Sequence, residues 1–135
     1  MEANATLLAR FDEDLRADAG IDLRTYDALL HVFNSGPPGI RMTDLAREVV
    51  LTKAGLTSLI DRLETRLLVQ RTPDPIDRRA LRITLTTEGE RVFRAAARIH
   101  VTGIRERFGS HVSDEEARIV VEVFERIKSA NLESR

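Results

Sequence analysis

The chain has 135 residues, of which 42% are hydrophobic and 32% charged, and its formal net charge is -1. This length favours one domain whose core is large enough to fold without a disulfide or a structural metal. The absence of cysteine excludes disulfides, cysteine-bound zinc and thiol catalysis. Charged residues interrupt the first twenty positions, and no uncharged run could cross a bilayer. We therefore expect a cytoplasmic protein that does not enter a membrane.

The charge is unevenly distributed along the chain. Residues 1–40 carry 3 basic and 7 acidic side chains, residues 41–82 carry 9 and 6, and residues 83–135 carry 9 and 9. The total argues mildly against a nucleic-acid partner, but an average can hide a local patch. Positive charge gathers in the middle third.

Helical periodicity dominates the first part of the chain. Apolar residues recur at helical spacing over residues 3–18, and Gly20 ends this first helix. Asp22 is a typical N-cap for a second helix, which the segment 34–37 ends. Thr43 and Thr52 are the expected N-caps of a short helix and a longer one. A short helix, a tight turn and a longer helix predict a helix-turn-helix.

The period then changes from that of a helix to that of a strand. Residues 69–72 and 81–85 alternate apolar and polar side chains, and the segment 73–80 between them is rich in turn-forming and charged residues. The pattern predicts a β-hairpin. A hairpin directly after a helix-turn-helix is typical of a winged helix.

Two longer helices are expected to close the chain. The first of them is expected to begin at Thr86 or Thr87 and to end at Gly109. Thr87 with Glu90, and Ser113 with Glu116, have the spacing of capping boxes. Together with the first helix, these elements offer more apolar surface than one small winged core needs. A second copy of the chain would bury the excess, which predicts a homodimer.

The order of elements and motifs resembles the MarR family of winged-helix transcription regulators. The motifs that carry the resemblance are Met42-Thr43-Asp44-Leu45-Ala46, Thr52-Lys53-Ala54-Gly55-Leu56-Thr57, Ile60-Asp61-Arg62-Leu63-Glu64, Leu68-Val69-Gln70-Arg71, Asp74-Pro75-Ile76-Asp77-Arg78-Arg79-Ala80 and Leu85-Thr86-Thr87-Glu88-Gly89. Two positions depart from the family pattern: Ser58 stands where an arginine is frequent, and Leu67 where glycine is usual. Because leucine is strained in a left-handed conformation, we expect the helix to end differently at Leu67 and to re-aim the wing slightly.

The expected fold is therefore mainly α (α+β), a winged helix-turn-helix with a two-stranded β-wing and with N- and C-terminal dimerisation helices. We expect a single domain over residues 1–135. Residues 21–87 would form the winged-helix DNA-binding part, and residues 1–20 and 88–135 the helical dimerisation part.

The outer face of the longer helix of the helix-turn-helix is the predicted reading surface. Its apolar stripe turns inward, and an α-helix of this kind fits the major groove of DNA. The outward residues are Lys53, Ala54, Thr57, Ser58, Asp61 and Arg62. We predict that Thr52 and all of these except Asp61 contact bases or phosphates.

The wing is the second predicted contact with DNA. The resemblance implies that Asp77 pairs with a wing arginine to fix the loop, and that an arginine enters the minor groove. We predict Arg78 in the groove, and Arg79 on a phosphate or paired with Asp77. Further phosphate contacts are expected from Arg41, Arg47 and Arg71.

The resemblance also implies a cleft for a small aromatic or anionic ligand, which Phe11, Tyr26, His31 and Phe33 could line. Plain core packing is the simpler explanation of these residues, because apolar residues at helical spacing need no ligand to explain them. Nothing in the sequence indicates an enzyme, a cofactor or a metal site.

The predicted function is that of a homodimeric, ligand-responsive repressor that binds a pseudo-palindromic site on double-stranded DNA. The alternative is a winged-helix module that binds another protein and does not bind DNA.

Overall fold

The computed structural model describes residues 2–132. Its elements confirm the predicted winged helix, which is mainly helical with one small antiparallel sheet. The helices and strands are α1 (Glu2–Ala19), α2 (Leu23–Ser35), β1 (Ile40–Arg41), α3 (Met42–Glu48), α4 (Lys53–Thr65), β2 (Val69–Pro73), β3 (Leu81–Leu85), α5 (Thr87–Arg107) and α6 (Asp114–Leu132), with a short 3₁₀ helix (Gly109–His111) between the last two.

The chain forms two compact units, Met1–His100 and Val101–Arg135, and the division falls within α5. The first unit holds the helix-turn-helix, the sheet and a continuous apolar core. Its largest fully buried side chains are Leu15, Leu29, Leu45, Leu56, Leu59, Ile60, Leu63, Ile83 and Val69. The second unit holds the end of α5 and α6. No helix within residues 2–132 is long and apolar enough to cross a membrane.

The sheet has a third strand that the sequence did not predict. Strand β1 pairs with β3, Ile40 opposite Ile83, and the strand order is β1-β3-β2. Gly39 permits this pairing, because it has a φ of +99° and a Cβ there would lie 2.5 Å from the carbonyl oxygen of Ile83. A two-residue strand is too short to leave a periodic signal in the sequence.

Three of the predicted helix caps are observed, at Asp22, Thr52 and Ser113, and two are not. The Asp22 carboxylate accepts the N–H of Thr25 at 2.7 Å, and the Thr52 hydroxyl accepts that of Gly55 at 3.1 Å. Helix α3 begins at Met42 without a side-chain cap, so the prediction for Thr43 was wrong. The expected capping box of Thr87 and Glu90 was wrong too, because the residue before it caps the helix.

Thr86 caps α5 instead. Its hydroxyl accepts the N–H of Gly89 at 2.9 Å and donates to the carbonyl of Leu67 at 2.5 Å. The same hydroxyl therefore ties the start of α5 to the end of α4.

Near the other end of the chain the predicted capping box is present: Ser113 and Glu116 bond reciprocally, with the Ser113 N–H donating to the Glu116 carboxylate at 2.8 Å. Helix α5 itself ends at Arg107, slightly before Gly109.

Helices α3 and α4 both end through a non-glycine residue in the left-handed region. Val50 has a φ of 51° and Leu67 a φ of 57°. At each end the backbone N–H of the following residue donates to a carbonyl five residues back, Leu51 to Ala46 at 3.1 Å and Leu68 to Leu63 at 2.9 Å. The expectation that leucine at position 67 would change how the helix ends was therefore wrong. The tertiary bonds around the residue outweigh its local strain.

Val50 is the more strained of the two residues, because its branched Cβ is poorly accommodated at positive φ. Its side chain is 88% exposed, so little packing would be lost on its removal. We expect Val50→Gly to raise the free energy of unfolding by roughly 1 kcal/mol, since the left-handed penalty of about 1–2 kcal/mol exceeds the entropic cost of glycine. Urea denaturation followed by circular dichroism measures this. Val50→Ala, which keeps a Cβ, should gain less, and equal gains in the two variants would contradict the interpretation.

Gly89 is where α5 approaches the end of α4 most closely. A Cβ at this position would lie 1.8 Å from the carbonyl oxygen of Leu68, which is backbone and cannot turn away. We expect Gly89→Ala to lower the free energy of unfolding by about 1–3 kcal/mol or more, as overpacking of a core does. Gly109→Ala is the matched control, because its Cβ would meet only the Ile104 carbonyl at 3.7 Å. A similar small effect in both variants in urea denaturation would argue against the close approach.

Candidate nucleic-acid interface

Helix α4 presents a polar outer face, as the sequence predicted. Its apolar residues are buried in the core of the first unit. The outer face forms a shallow depression lined by Lys53, Ala54, Thr57, Ser58, Asp61 and Arg62. These six are the residues that the sequence placed outward on the recognition helix.

The hydroxyls at the start of α4 already have intramolecular partners. Thr52 caps the helix through Gly55, and the Thr57 hydroxyl donates to the Lys53 carbonyl at 2.9 Å. A Cβ on Gly55 would lie 3.2 Å from the Thr52 hydroxyl oxygen. The glycine therefore leaves room for the cap.

A buried carboxylate organises the base of the wing. The Asp74 side chain is fully buried, and its Oδ2 accepts from Arg41 Nε at 2.9 Å and from Arg82 Nε at 2.7 Å. Its Oδ1 accepts the backbone N–H of Ile76 at 2.9 Å and of Asp77 at 3.0 Å. The backbone N–H groups of Asp77 and Ile76, and then the two guanidinium groups, hold the pKa of Asp74 well below its usual range.

The expected role of Asp77 in fixing the wing therefore belongs to Asp74. Asp77 accepts the backbone N–H of Arg79 at 3.1 Å, a short-range turn contact. Asp77 was the expected residue because it lies directly before two arginines in the sequence. The partners of Asp74 are instead 33 and 8 residues away along the chain, so spacing alone could not find them.

The wing tip carries two exposed arginines. Neither Arg78 nor Arg79 has a salt bridge or side-chain hydrogen bond within residues 2–132. Arg79 also lines a groove of about 710 Å³ between the helix-turn-helix and the wing. The groove is lined by Arg41, Met42, Thr43, Ala46, Lys53, Leu56, Thr57, Arg71, Arg79, Ala80 and Leu81. Its lining contains four cationic side chains and no carboxylate.

The three arginines expected on phosphates are all paired. Arg41 binds Asp74, Arg47 binds Asp44, and Arg71 binds both Asp61 and Glu64. Arg47 remains on the surface. Arg41 and Arg71 are engaged across elements of the fold, which favours a structural role for them.

The structure brings together only part of the predicted ligand cleft. Phe11 and Tyr26 line a cavity of about 830 Å³ in the first unit, together with His100. The centroid of the His100 ring lies 5.0 Å from that of Phe11 and 4.7 Å from that of Tyr26. Burial lowers the pKa of His100, whose Nδ1 is buried with no partner among the described residues. His100 lies more than 70 positions from Tyr26, so sequence spacing could not place the two residues together.

His31 and Phe33, which the sequence also suggested for the cleft, do not line this cavity. His31 lies between Asp27 and Glu48, at 3.5 and 3.8 Å. The Phe33 ring packs on Phe93 at a centroid distance of 4.7 Å. In the part of the chain that the structure describes, no group of three or more His, Asp or Glu residues is arranged to hold a metal ion.

The sequence of the chain matches a family model described as MarR family over residues 19–80. It is also 36% identical over 93 residues to the transcriptional regulator HosA of Escherichia coli O111:H-, a match that covers 69% of this chain and 68% of that protein. The chain belongs to the MarR family.

Solved MarR structures extend the similarity over nearly the whole chain. The structure of Sco3205, a MarR family transcriptional regulator from Streptomyces coelicolor in complex with DNA, matches with a TM-score of 0.88 and 29% identity, covering 96% of this chain and 81% of that one. The structure of CouR from Rhodococcus jostii RHA1 bound to p-coumaroyl-CoA matches with a TM-score of 0.82 and 25% identity, covering 93% and 86%. The MarR winged-helix architecture is thus shared well beyond the helix-turn-helix.

The depressed pKa of Asp74 predicts how acid affects the wing. A carboxyl group whose pKa is lower in the folded than in the unfolded chain stabilises the fold above the unfolded pKa, about 3.9. That stabilisation is lost as the pH falls below this value. We therefore expect Asp74→Asn to lower the melting temperature at pH 7, and the difference from the wild type to shrink as the pH is lowered toward 3.

Circular dichroism melts at several pH values measure this difference. Asp18→Asn, a substitution on the exposed face of α1, controls for the loss of one negative charge. A gap between Asp74→Asn and the wild type that stays constant down to pH 3 would contradict the role given to the Asp74 carboxylate.

Proposed function

We propose that this MarR family regulator acts as a homodimeric, ligand-responsive repressor on a pseudo-palindromic DNA site. The observation that carries the proposal is the groove between α4 and the wing. Two of the cationic side chains that line it, Lys53 and Arg79, form no ion pair among residues 2–132, and neither does Arg78 on the adjoining wing tip. Lys53 and Arg62 on the outer face of α4 likewise have no ion pair among residues 2–132. Cations of this kind favour binding to a phosphate backbone.

In this proposal α4 enters the major groove and the wing the adjacent minor groove. Lys53, Ala54, Thr57, Ser58 and Arg62 face the bases or the flanking phosphates, with Thr52 at the helix start. Arg78 is placed in the minor groove, whose negative potential attracts arginine, and Arg79 on a phosphate. Asp77 acts indirectly, through its bond to the Arg79 backbone.

The second copy of the chain is proposed to cover the apolar face of the C-terminal unit. Helix α6 exposes apolar side chains at helical spacing, and the end of α5 exposes more. These residues are Val101, Ile104, Phe108, Ile119, Val120, Val121, Phe124 and Ile127. A face of this kind on a folded chain favours association. In a two-fold dimer, recognition helices roughly 34–36 Å apart reach successive major grooves on one face of the DNA.

The cavity lined by Phe11, Tyr26 and His100 is the proposed ligand site. Aromatic walls with a buried ring nitrogen that has no partner among residues 2–132 suit an aromatic ligand with a hydrogen-bonding group. CouR, a relative of similar fold, binds p-coumaroyl-CoA in its crystal structure. A ligand here would alter DNA binding only by favouring one arrangement of the two recognition helices over another.

Fluorescence anisotropy with duplex DNA from beside the protein's own coding region tests the proposal, at two salt concentrations. We expect tight binding that weakens steeply with salt, since each phosphate neutralised releases counterions. A random-sequence duplex measures non-specific binding. Salt-insensitive or absent binding to both duplexes would favour a winged-helix module that binds protein.

Arg78→Ala tests the wing assignment. We expect weaker DNA binding and a salt dependence whose slope falls by about one, the contribution of one contact to the DNA backbone charge. Arg10→Ala, on the exposed face of α1, removes one arginine far along the sequence from the wing and should leave the slope unchanged. An unchanged slope in Arg78→Ala would remove the wing from the interface.

A further inference from the structure

Arg71 joins the wing to the recognition helix through two carboxylates. It lies on β2, and its guanidinium contacts Asp61 Oδ1 at 2.5 Å and the carboxylate of Glu64, both on α4. The backbone N–H of Arg71 also donates to Glu64 Oε1 at 3.2 Å. The Arg71 side chain is only 21% exposed. Three contacts therefore hold this arginine against α4.

Asp61 is the one acidic residue on the outer face of the recognition helix. It lines the same depression as Lys53, Thr57 and Arg62, and its side chain is 59% exposed. A carboxylate on this surface repels the phosphates of a docked duplex, and the repulsion is strongest at low salt. The helix can approach DNA closely only if this charge is offset.

Arg71 is placed to offset it. Lys53 and Arg62 on the same face form no ion pair with Asp61 in the part of the chain described, whereas Arg71 contacts it directly. Burial lowers the pKa of Arg71, but its hydrogen bonds to Asp61 and Glu64, together with the negative charge of these carboxylates, raise the pKa by more, so the guanidinium stays charged. Glu64 also accepts the backbone N–H of Arg71, and this bond helps to set the position of the guanidinium.

We propose that Arg71 is a positioning residue for DNA binding: it neutralises Asp61 on the reading face and does not itself contact a phosphate. The proposal rests on the DNA-binding function proposed above. It replaces the expectation that Arg71 binds the DNA backbone.

A double-substitution cycle of Arg71→Gln and Asp61→Asn tests this role. Arg71→Gln leaves an uncompensated carboxylate on the reading face, so we expect DNA affinity to fall roughly threefold to tenfold, as one such charge gives at a surface. The double variant removes one positive and one negative charge and should regain most of the lost affinity and the wild-type salt slope. Asp61→Asn alone should bind as tightly as the wild type, or more tightly.

The measurements are fluorescence anisotropy titrations over a series of salt concentrations, with circular dichroism melts of each variant. The matched control is the same cycle at the exposed Arg10–Glu13 pair on α1, whose atoms lie 2.8 Å apart. There Arg10→Gln, Glu13→Gln and the double variant should all bind like the wild type.

Two outcomes would overturn the proposal. If Arg71 binds a phosphate directly, Arg71→Gln lowers the salt slope by about one and Asp61→Asn does not restore it. If Asp61 itself contacts a base, Asp61→Asn alone weakens binding, and this variant decides the matter even where Arg71→Gln fails to fold. Absence of DNA binding by the wild type would instead contradict the proposed function.

Discussion

The wing of this protein depends on one buried carboxylate. Asp74 gathers Arg41 from β1, Arg82 from β3 and two backbone N–H groups of the wing loop. A buried charge is costly unless it is fully paired and hydrogen-bonded, and here both oxygens are. Because Arg41 immediately precedes α3, the same carboxylate also fixes where the helix-turn-helix begins. The wing and the first helix of the motif thus share one anchor.

The near-neutral net charge of the chain reflects the same pairing of basic residues with carboxylates. Positive residues in the middle third are interspersed with carboxylates, and several of them are engaged in ion pairs that hold elements together. Two kinds of cation result: those held in ion pairs across elements, such as Arg41 and Arg71, and those without an ion pair among the described residues, such as Lys53 and Arg78. DNA affinity in a protein of this kind depends on which arginines are unpaired more than on the total charge.

The sequence predicted those parts of the fold that depend on interactions between residues close together in the chain. The apolar stripe of α4, the caps at Asp22 and Thr52, and the alternation in β2 and β3 each depend on residues a few positions apart. The residues that were misassigned depend on long-range contacts. Asp74 finds its arginines across the sheet, and His100 reaches Tyr26 from a distant helix. Leu67 keeps a left-handed helix end because Thr86 and Leu68 are bonded around it. Thr86 rather than Thr87 caps α5 because the tie to Leu67 decides between two adjacent threonines.

The contact between Glu64 and the backbone of Arg71 has a further consequence for the sheet. In the order β1-β3-β2, strand β2 lies at an edge, and an open edge is a template on which a strand of another molecule can add. The Arg71 N–H at this edge is already bonded to Glu64, and Pro73, two residues further along, has no N–H to offer. Two of the N–H groups that strand addition would need are thereby withheld at this edge. An exposed wing built in this way is less prone to pair with a strand of another molecule, which favours partners that do not bind as a β-strand.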